Sequence, residues 1–216
     1  MAEVVKERRE YRSPRRAAQA QVTRGALLEA ARELFVGRGY VATTIQAIAE
    51  RAGVSPATVY GTFATKRGIL SALVDRSIAG DDAPVPILER QWVKEMRREP
   101  DLHRRIAMLA RQGRLMLERR SPVDEVLRAA AAGEKEIAEL WEQAKAQRFA
   151  GQRALLQMVA GSDRPLAKDA ADALYAIGSP ETYQLLVSDR GWSPARFENW
   201  YAEAIARLLG APLDVR

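Results

Sequence analysis

Apolar residues recur at spacings of three and four almost from end to end of the chain, and runs that alternate as strands do are few. That periodicity confines the 216 residues to an all-α fold. The 38 alanines among them favour helix as well. Ser-Pro pairs punctuate the pattern at Ser55-Pro56, Ser121-Pro122, Ser179-Pro180 and Ser193-Pro194, with Ser13-Pro14 as a fifth. Serine accepts the unpaired N–H groups of a first helical turn, and the proline beside it needs no acceptor of its own. Each pair therefore reads as a helix start.

On this reading a first helix runs from Pro14 or Thr23 to Val36, with Leu27, Ala31, Leu34 and Phe35 on one face, and ends at Gly37-Arg38-Gly39. Thr43 with Gln46 three residues on forms a capping-box pattern that starts a short second helix, closed at Ala52-Gly53. Ser55-Pro56 starts a third, reaching about Tyr60, and Thr65 caps a fourth, which carries Ile69, Leu70, Leu73, Val74 and Ile78. Gly80-Asp81-Asp82-Ala83-Pro84-Val85-Pro86 breaks the pattern and divides the chain into modules 1–80 and 81–216. Further helices are expected near 86–98, 101–119, 123–160 (interrupted at Gly133 or Gly151), 165–177, 180–189 and 194–209.

The charge is distributed unevenly between the modules. Residues 1–68 hold 12 Lys and Arg against 6 Asp and Glu, which accounts for the whole net charge of +6. The remainder is balanced. A basic module joined to a neutral one suits a polyanion partner, although a solvated basic face gives the same count. Several function classes drop out. There is no Cys, a single His at 103, no phosphate loop and no serine nucleophile elbow, so neither a catalytic residue nor a metal or other cofactor site is expected. No apolar run is long enough to span a membrane, and no signal peptide is visible; a cytoplasmic protein without membrane contact is expected.

Residues 44–63 read TIQAIAERAGVSPATVYGTF. Ile48, Ala52, Val54 and Val59 are apolar where two short helices must pack, Ala49 is small where they cross, and Gly53 suits a left-handed turn. This is the pattern of a helix-turn-helix, whose second helix enters the DNA major groove. A plain αα-corner that packs two helices and touches nothing shares part of it. The longer text ARELFVGRGYVATTIQAIAERAGVSPATVYGTFATKRGIL resembles the N-terminal domain of the TetR family of transcriptional regulators over roughly residues 21–80. Ser179-Pro-Glu-Thr-Tyr-Gln-Leu-Leu and Gly191-Trp-Ser-Pro resemble the last helices of many members, whereas 85–165 resembles nothing nameable.

The resemblance implies a three-helix, helix-turn-helix DNA-binding domain joined to a larger helical domain for ligand binding and dimerisation. It implies a homodimer on a palindromic operator in double-stranded DNA, acting as a repressor released by a small-molecule effector. Carried over by position, Thr43 and Thr44 would meet phosphate. Ser55, Ala57 and Thr58 would face the groove floor, Tyr60 would reach the backbone or a base edge, and Lys66 would pair with phosphate. Where many members have Tyr-x-His-Phe, this chain has Tyr60-Gly61-Thr62-Phe63, so Thr62 offers a hydroxyl where others offer a charge. Arg8, Arg9, Arg12, Arg15 and Arg16 form either a minor-groove arm or a solubilising tail.

In the second module, Leu174 on the 165–177 helix and Phe197, Trp200, Tyr201 and Leu208 on the last are the candidate dimer face. Met108, Leu115, Met116, Trp141, Phe149 and Met158 are candidates to line an effector pocket, being large and adaptable. His103 reads as a surface residue near a helix start, and Arg104, Arg105, Arg111, Arg114, Arg119 and Arg120 as a solvated face. An enzyme and a scaffold that only dimerises are the competing readings. The first lacks catalytic groups, and the second predicts that replacing Tyr60 and Lys66 changes nothing.

Overall fold

The computed structural model describes residues 14–83, 85–161 and 164–211, which form helices and connecting turns with no strand among them. Four helices make the N-terminal part: α1 (Pro14–Arg38), α2 (Ile45–Ala52), α3 (Pro56–Phe63) and α4 (Lys66–Ala79). After a 3-10 turn at Ile87–Glu89 come α5 (Gln91–Arg98), α6 (Leu102–Ala131), α7 (Lys135–Ala160), α8 (Ala170–Ile177), α9 (Pro180–Tyr183) and α10 (Pro194–Leu208). The expected helix at 86–98 therefore opens with the 3-10 turn, and the one at 165–177 begins only at Ala170.

Serine and threonine caps set half of the starts. The side chains of Thr44, Ser55, Thr65, Ser179 and Ser193 each accept an N–H from the first turn of the helix that follows. Ser121-Pro122 is the exception, and the expected start there is wrong. The pair lies inside α6, which runs on to Ala131. Proline removes one helical hydrogen bond and crowds the preceding turn, at about 3 kcal/mol. The Ser121 hydroxyl instead donates back to Leu117 O at 2.7 Å. Beyond it, Val123, Val126, Leu127 and Ala130 are all buried in the core of the N-terminal helices. Their burial, at about 1.5–3 kcal/mol for each fully buried large side chain, outweighs the proline. The break falls at 132–134, so Gly133 marks the interruption and Gly151 sits within α7.

Two apolar cores result. The first collects Leu27, Leu28, Phe35, Ile48, Val59, Ile69 and Leu70 from α1–α4 and is closed by Leu127 of α6 with Ile137 and Leu140 of α7. The second lies among Val93 and Met96 of α5, Ile106 and Leu117 of α6, Leu156 and Val159 of α7, Leu174 of α8, and Phe197 and Ile205 of α10. Helix α6 passes through both.

Candidate nucleic-acid interface and internal cavity

Helix α2 ends on Gly53, whose backbone takes the left-handed values φ 67° and ψ 32° and returns its N–H to the α2 carbonyls. The chain turns there and α3 begins three residues later, capped by Ser55 with Pro56 in the first turn. Ile48, Ala49 and Val59 are buried where the two helices cross, and Ala52 and Val54 pack against the same cluster. The far end of α3 is a tight corner. Ala64 holds a positive φ of 59° and Thr65 caps α4 at once. A Cβ on Gly68 would lie 2.3 Å from Phe63 O, so α3 and α4 approach as only a residue without a side chain allows.

This construction sorts the side chains of α3 onto two faces. Val59 and Phe63 point into the core. Ser55, Ala57, Tyr60 and Gly61 are exposed, and Thr58 is half-buried beside them. Tyr60 keeps 55% of its surface exposed, so its ring and hydroxyl are open on this face. The Ser55 and Thr58 hydroxyl oxygens lie 3.0 Å apart, so the pair presents a joined polar edge. Thr62 is less available, because its hydroxyl donates to Thr58 O at 2.7 Å. The exposed face thus carries hydroxyls and a methyl group and no charge, a surface suited to hydrogen bonds and van der Waals contact rather than to a bidentate guanidinium.

Two residues sit differently from what their sequence positions suggest. Thr43 is 1% exposed, with its hydroxyl donating to Gly39 O at 2.8 Å and near Leu34 O at 3.2 Å. That inward hydroxyl ties the 39–43 turn to the end of α1. The cap of α2 passes to its exposed neighbour Thr44, and the outward position passes with it. Lys66 is half-buried, and its ammonium donates to Tyr40 O at 3.0 Å and Thr43 O at 3.1 Å while lying 4.2 Å from the centre of the Tyr40 ring. Burial lowers its pKa below the ordinary lysine value. Lys66 therefore clamps the turn that presents Thr44, with one of its three N–H groups left over.

The basic excess is also partly committed. Arg51 pairs with Glu33, Arg32 with Glu29, and Arg67 donates to Glu136 O of α7. Arg24 lies 4.6 Å from the centre of the Phe63 ring. Arg8, Arg9 and Arg12 lie outside the described residues, and Arg15 and Arg16 fall in the first turn of α1.

Away from this face is a cavity of about 600 Å³. Trp92, Leu109, Met116 and Leu155 supply apolar wall, and Arg24 of α1 with Asp75 and Arg76 of α4 close the side toward the N-terminal helices. Of the six sequence candidates only Met116 lines it. Met108 and Met158 pack against the second core, Trp141 against the first, and Phe149 meets Tyr175 edge-on at 5.7 Å. Leu115 is half-buried on α6 and away from the wall. Arg120 is the largest departure from the sequence reading. It is 2% exposed, not part of a solvated face, and its Nε donates to Asp124 Oδ2 at 2.7 Å. Burial raises the pKa of Asp124 against the opposing pull of that guanidinium. Arg120 Nη2, Asp124 Oδ1 and Gln152 Oε1 are buried without a hydrogen-bond partner. The i, i+4 spacing of Arg120 and Asp124 was the available sequence signal.

The candidate dimer face separates too. Leu174, Phe197 and Tyr201 are at most 3% exposed within their own chain. Phe197 stacks among Tyr183, Trp200 and Tyr201, and Tyr201 reaches the cavity wall, where burial raises its phenol pKa. Trp200 and Leu208 alone of the five keep part of their surface open. His103 is exposed in the first turn of α6. Among the described residues no cluster of His, Asp or Glu is arranged to hold a metal ion, and no helix is long and apolar enough to cross a membrane.

Residues 27–73 match the model of the family described as bacterial regulatory proteins, tetR family. YvkB of Bacillus subtilis, an uncharacterised HTH-type transcriptional regulator, is 44% identical over 54 residues, which are 25% of this chain and 29% of that one. The HTH-type transcriptional activator FasR of Mycolicibacterium smegmatis is 46% identical over 55 residues, 26% of this chain and 25% of that one. The match thus spans under a third of the length of these curated relatives. Solved structures resemble the chain over most of its length. A transcriptional regulator from Rhodococcus sp. is 21% identical with a TM-score of 0.59, covering 87% of this chain and 96% of that one. A regulator-like protein from Saccharomonospora viridis, solved in complex with choline, is 21% identical with a TM-score of 0.60, covering 85% and 95%. The all-helical fold is theirs.

Proposed function

From the premise that the chain belongs, through residues 27–73, to the tetR family of bacterial regulatory proteins, we propose that it binds double-stranded DNA sequence-specifically as a homodimer and represses transcription until a small molecule enters the cavity. The observation that carries the reading is the uncharged exposed face of α3, with Ser55, Ala57, Thr58 and Tyr60 outward and Val59 and Phe63 buried behind them. A helix of eight residues touches few base pairs, so two copies on a palindromic operator are needed. Their recognition helices must then sit about 34–36 Å apart. Thr44 and Tyr60 meet the backbone or base edges, Lys66 contributes to phosphate attraction through its remaining N–H, and Thr62 supports the helix that carries them. The half-buried Trp200 and Leu208 contribute to the dimer face.

A ligand-gated regulator is supported by the cavity's position, since Arg24, Asp75 and Arg76 of α1 and α4 form part of its wall. A molecule there touches the elements that hold α3. The choline complex of the Saccharomonospora protein supports small-molecule binding in this fold. Repression is the proposed sign, although FasR acts as an activator by name.

The test is fluorescence anisotropy of the unliganded full chain on DNA from its own promoter, against scrambled DNA at physiological salt. Tighter binding to the promoter, falling steeply with added salt, is expected. Tyr60→Ala should weaken it by about tenfold with the fold unchanged, a loss of about 1.4 kcal/mol. Equal binding to both DNAs rejects the reading.

A further inference from the structure

The cavity wall carries four arginines, Arg24, Arg76, Arg120 and Arg148, against three aspartates, Asp75, Asp81 and Asp82. Arg24, Arg120 and Arg148 line it, and the carboxylates acting on them are Asp75 and Asp124. Elsewhere on the wall Arg76 faces Asp82 at 3.9 Å, and Asp81 is taken by Arg90 at 2.6 Å. Glu181 also acts on Asp124 but is exposed to solvent. Arg148 gives its Nη1 to Tyr175 O at 3.2 Å and lays its guanidinium 3.9 Å from the centre of the Tyr175 ring, so it meets a carbonyl and an aromatic face instead of a carboxylate. Arg120 donates once to Asp124 and leaves Nη2 buried without an acceptor. A buried donor left in this state costs about 1–3 kcal/mol, more when charged.

We propose that the cavity takes an amphiphilic monocarboxylate, its carboxylate head held by Arg120 Nη2 and Arg148 and its apolar body lying against Trp92, Leu109, Met116 and Leu155. The assignment rests on the ligand-gated reading above. One observation favours a different head. Gln152 donates its Nε2 to Gly178 O at 2.7 Å, which leaves Oε1 as an unpartnered acceptor and suits an alcohol, able to donate and accept. Magnitudes decide between them. A hydrogen bond to a charged group contributes about 1.5–3 kcal/mol and a neutral one about 1, so two guanidiniums outweigh one amide oxygen. The volume of about 600 Å³ falls within the range of small-molecule pockets.

Three probes with the same eight-carbon chain separate the classes: octanoate, octan-1-ol and octyltrimethylammonium, each titrated into the full-length protein by calorimetry. Octanoate should bind about tenfold or more tightly than octanol, with no binding of the cation. Arg148→Gln should weaken octanoate by about tenfold and leave octanol unchanged. Met116→Trp, which fills the apolar part, should abolish octanoate binding while circular dichroism and thermal melting show a folded protein; this arm holds if Arg148→Gln does not fold. Octanol binding as tightly as octanoate, binding of the cation, or no octanoate saturation by millimolar concentration overturns the assignment. Promoter DNA binding is measured separately without any probe. If that fails, the regulator reading falls; if it succeeds and octanoate does not bind, only the ligand assignment falls.

Discussion

The N-terminal helices and the C-terminal body are built on opposite terms. Around α2 and α3 each turn is closed by a cap, each buried side chain is apolar apart from the satisfied Thr43, and the corner at Phe63–Gly68 leaves no room for even a methyl group. The body contains a cavity of about 600 Å³, a buried ion pair with unpartnered atoms, a proline inside a helix and a π-helical turn at Gln184–Asp189. The first region fixes one surface in one geometry. The second keeps space and unmet hydrogen-bonding capacity, which a bound molecule can use.

The contrast can be broken by measurement. Arg120→Met leaves Asp124 buried and alone, and should destabilise the fold by about 3–5 kcal/mol in urea denaturation. The double variant Arg120→Met with Asp124→Leu should recover most of that loss. If the single variant is nearly neutral, Asp124 does not depend on Arg120 for its place in the body. Gly68→Ala comes next, at about 2–3 kcal/mol, because its Cβ would meet backbone, which cannot step aside. A loss below that of an ordinary surface change would mean the corner is looser than its geometry.

Smaller effects sharpen the picture of the side that presents α3. Lys66→Ala removes two charged hydrogen bonds and the contact with the Tyr40 ring, so about 1–2 kcal/mol of stability should go. Its effect on DNA should be uniform across sequences and should lower the salt slope by about one unit. Arg at this position should restore charge without restoring the clamp. The smallest change is expected at Ala64, where a positive φ is held by a residue with a Cβ. Ala64→Gly should raise stability by about 1 kcal/mol, read as a higher melting temperature.

What was legible in the sequence follows the same division. Ser55-Pro56, Gly53 and Thr65 act within one turn of themselves, and local spacing is enough to read them. Thr43 and Thr44 are adjacent and chemically equal; which one caps is settled by carbonyls of Leu34 and Gly39, which only the folded turn brings near. Ser121-Pro122 carries a valid local signal that non-local burial overrides. In the body, size and adaptability singled out Met108, Phe149 and Met158 as well as Met116, but only the packing of α6 against α7 decides which side of each helix faces the void. On the last helix a wide apolar stripe looks alike in sequence whether it packs within the subunit or also meets another; Phe197 and Tyr201 are buried within their own chain.

Helix α6 has one more consequence. Thirty residues at 1.5 Å each make a rod of about 45 Å, with Ile106 and Leu117 in one core and Val123 and Leu127 in the other. A hybrid regulator assembled by transplanting residues 1–80 onto a foreign body would arrive with Leu70, Leu73 and Val74 uncovered, since their lid is left behind. The exchangeable piece is larger and discontinuous, and must bring along the latter half of this rod and the opening turns of α7.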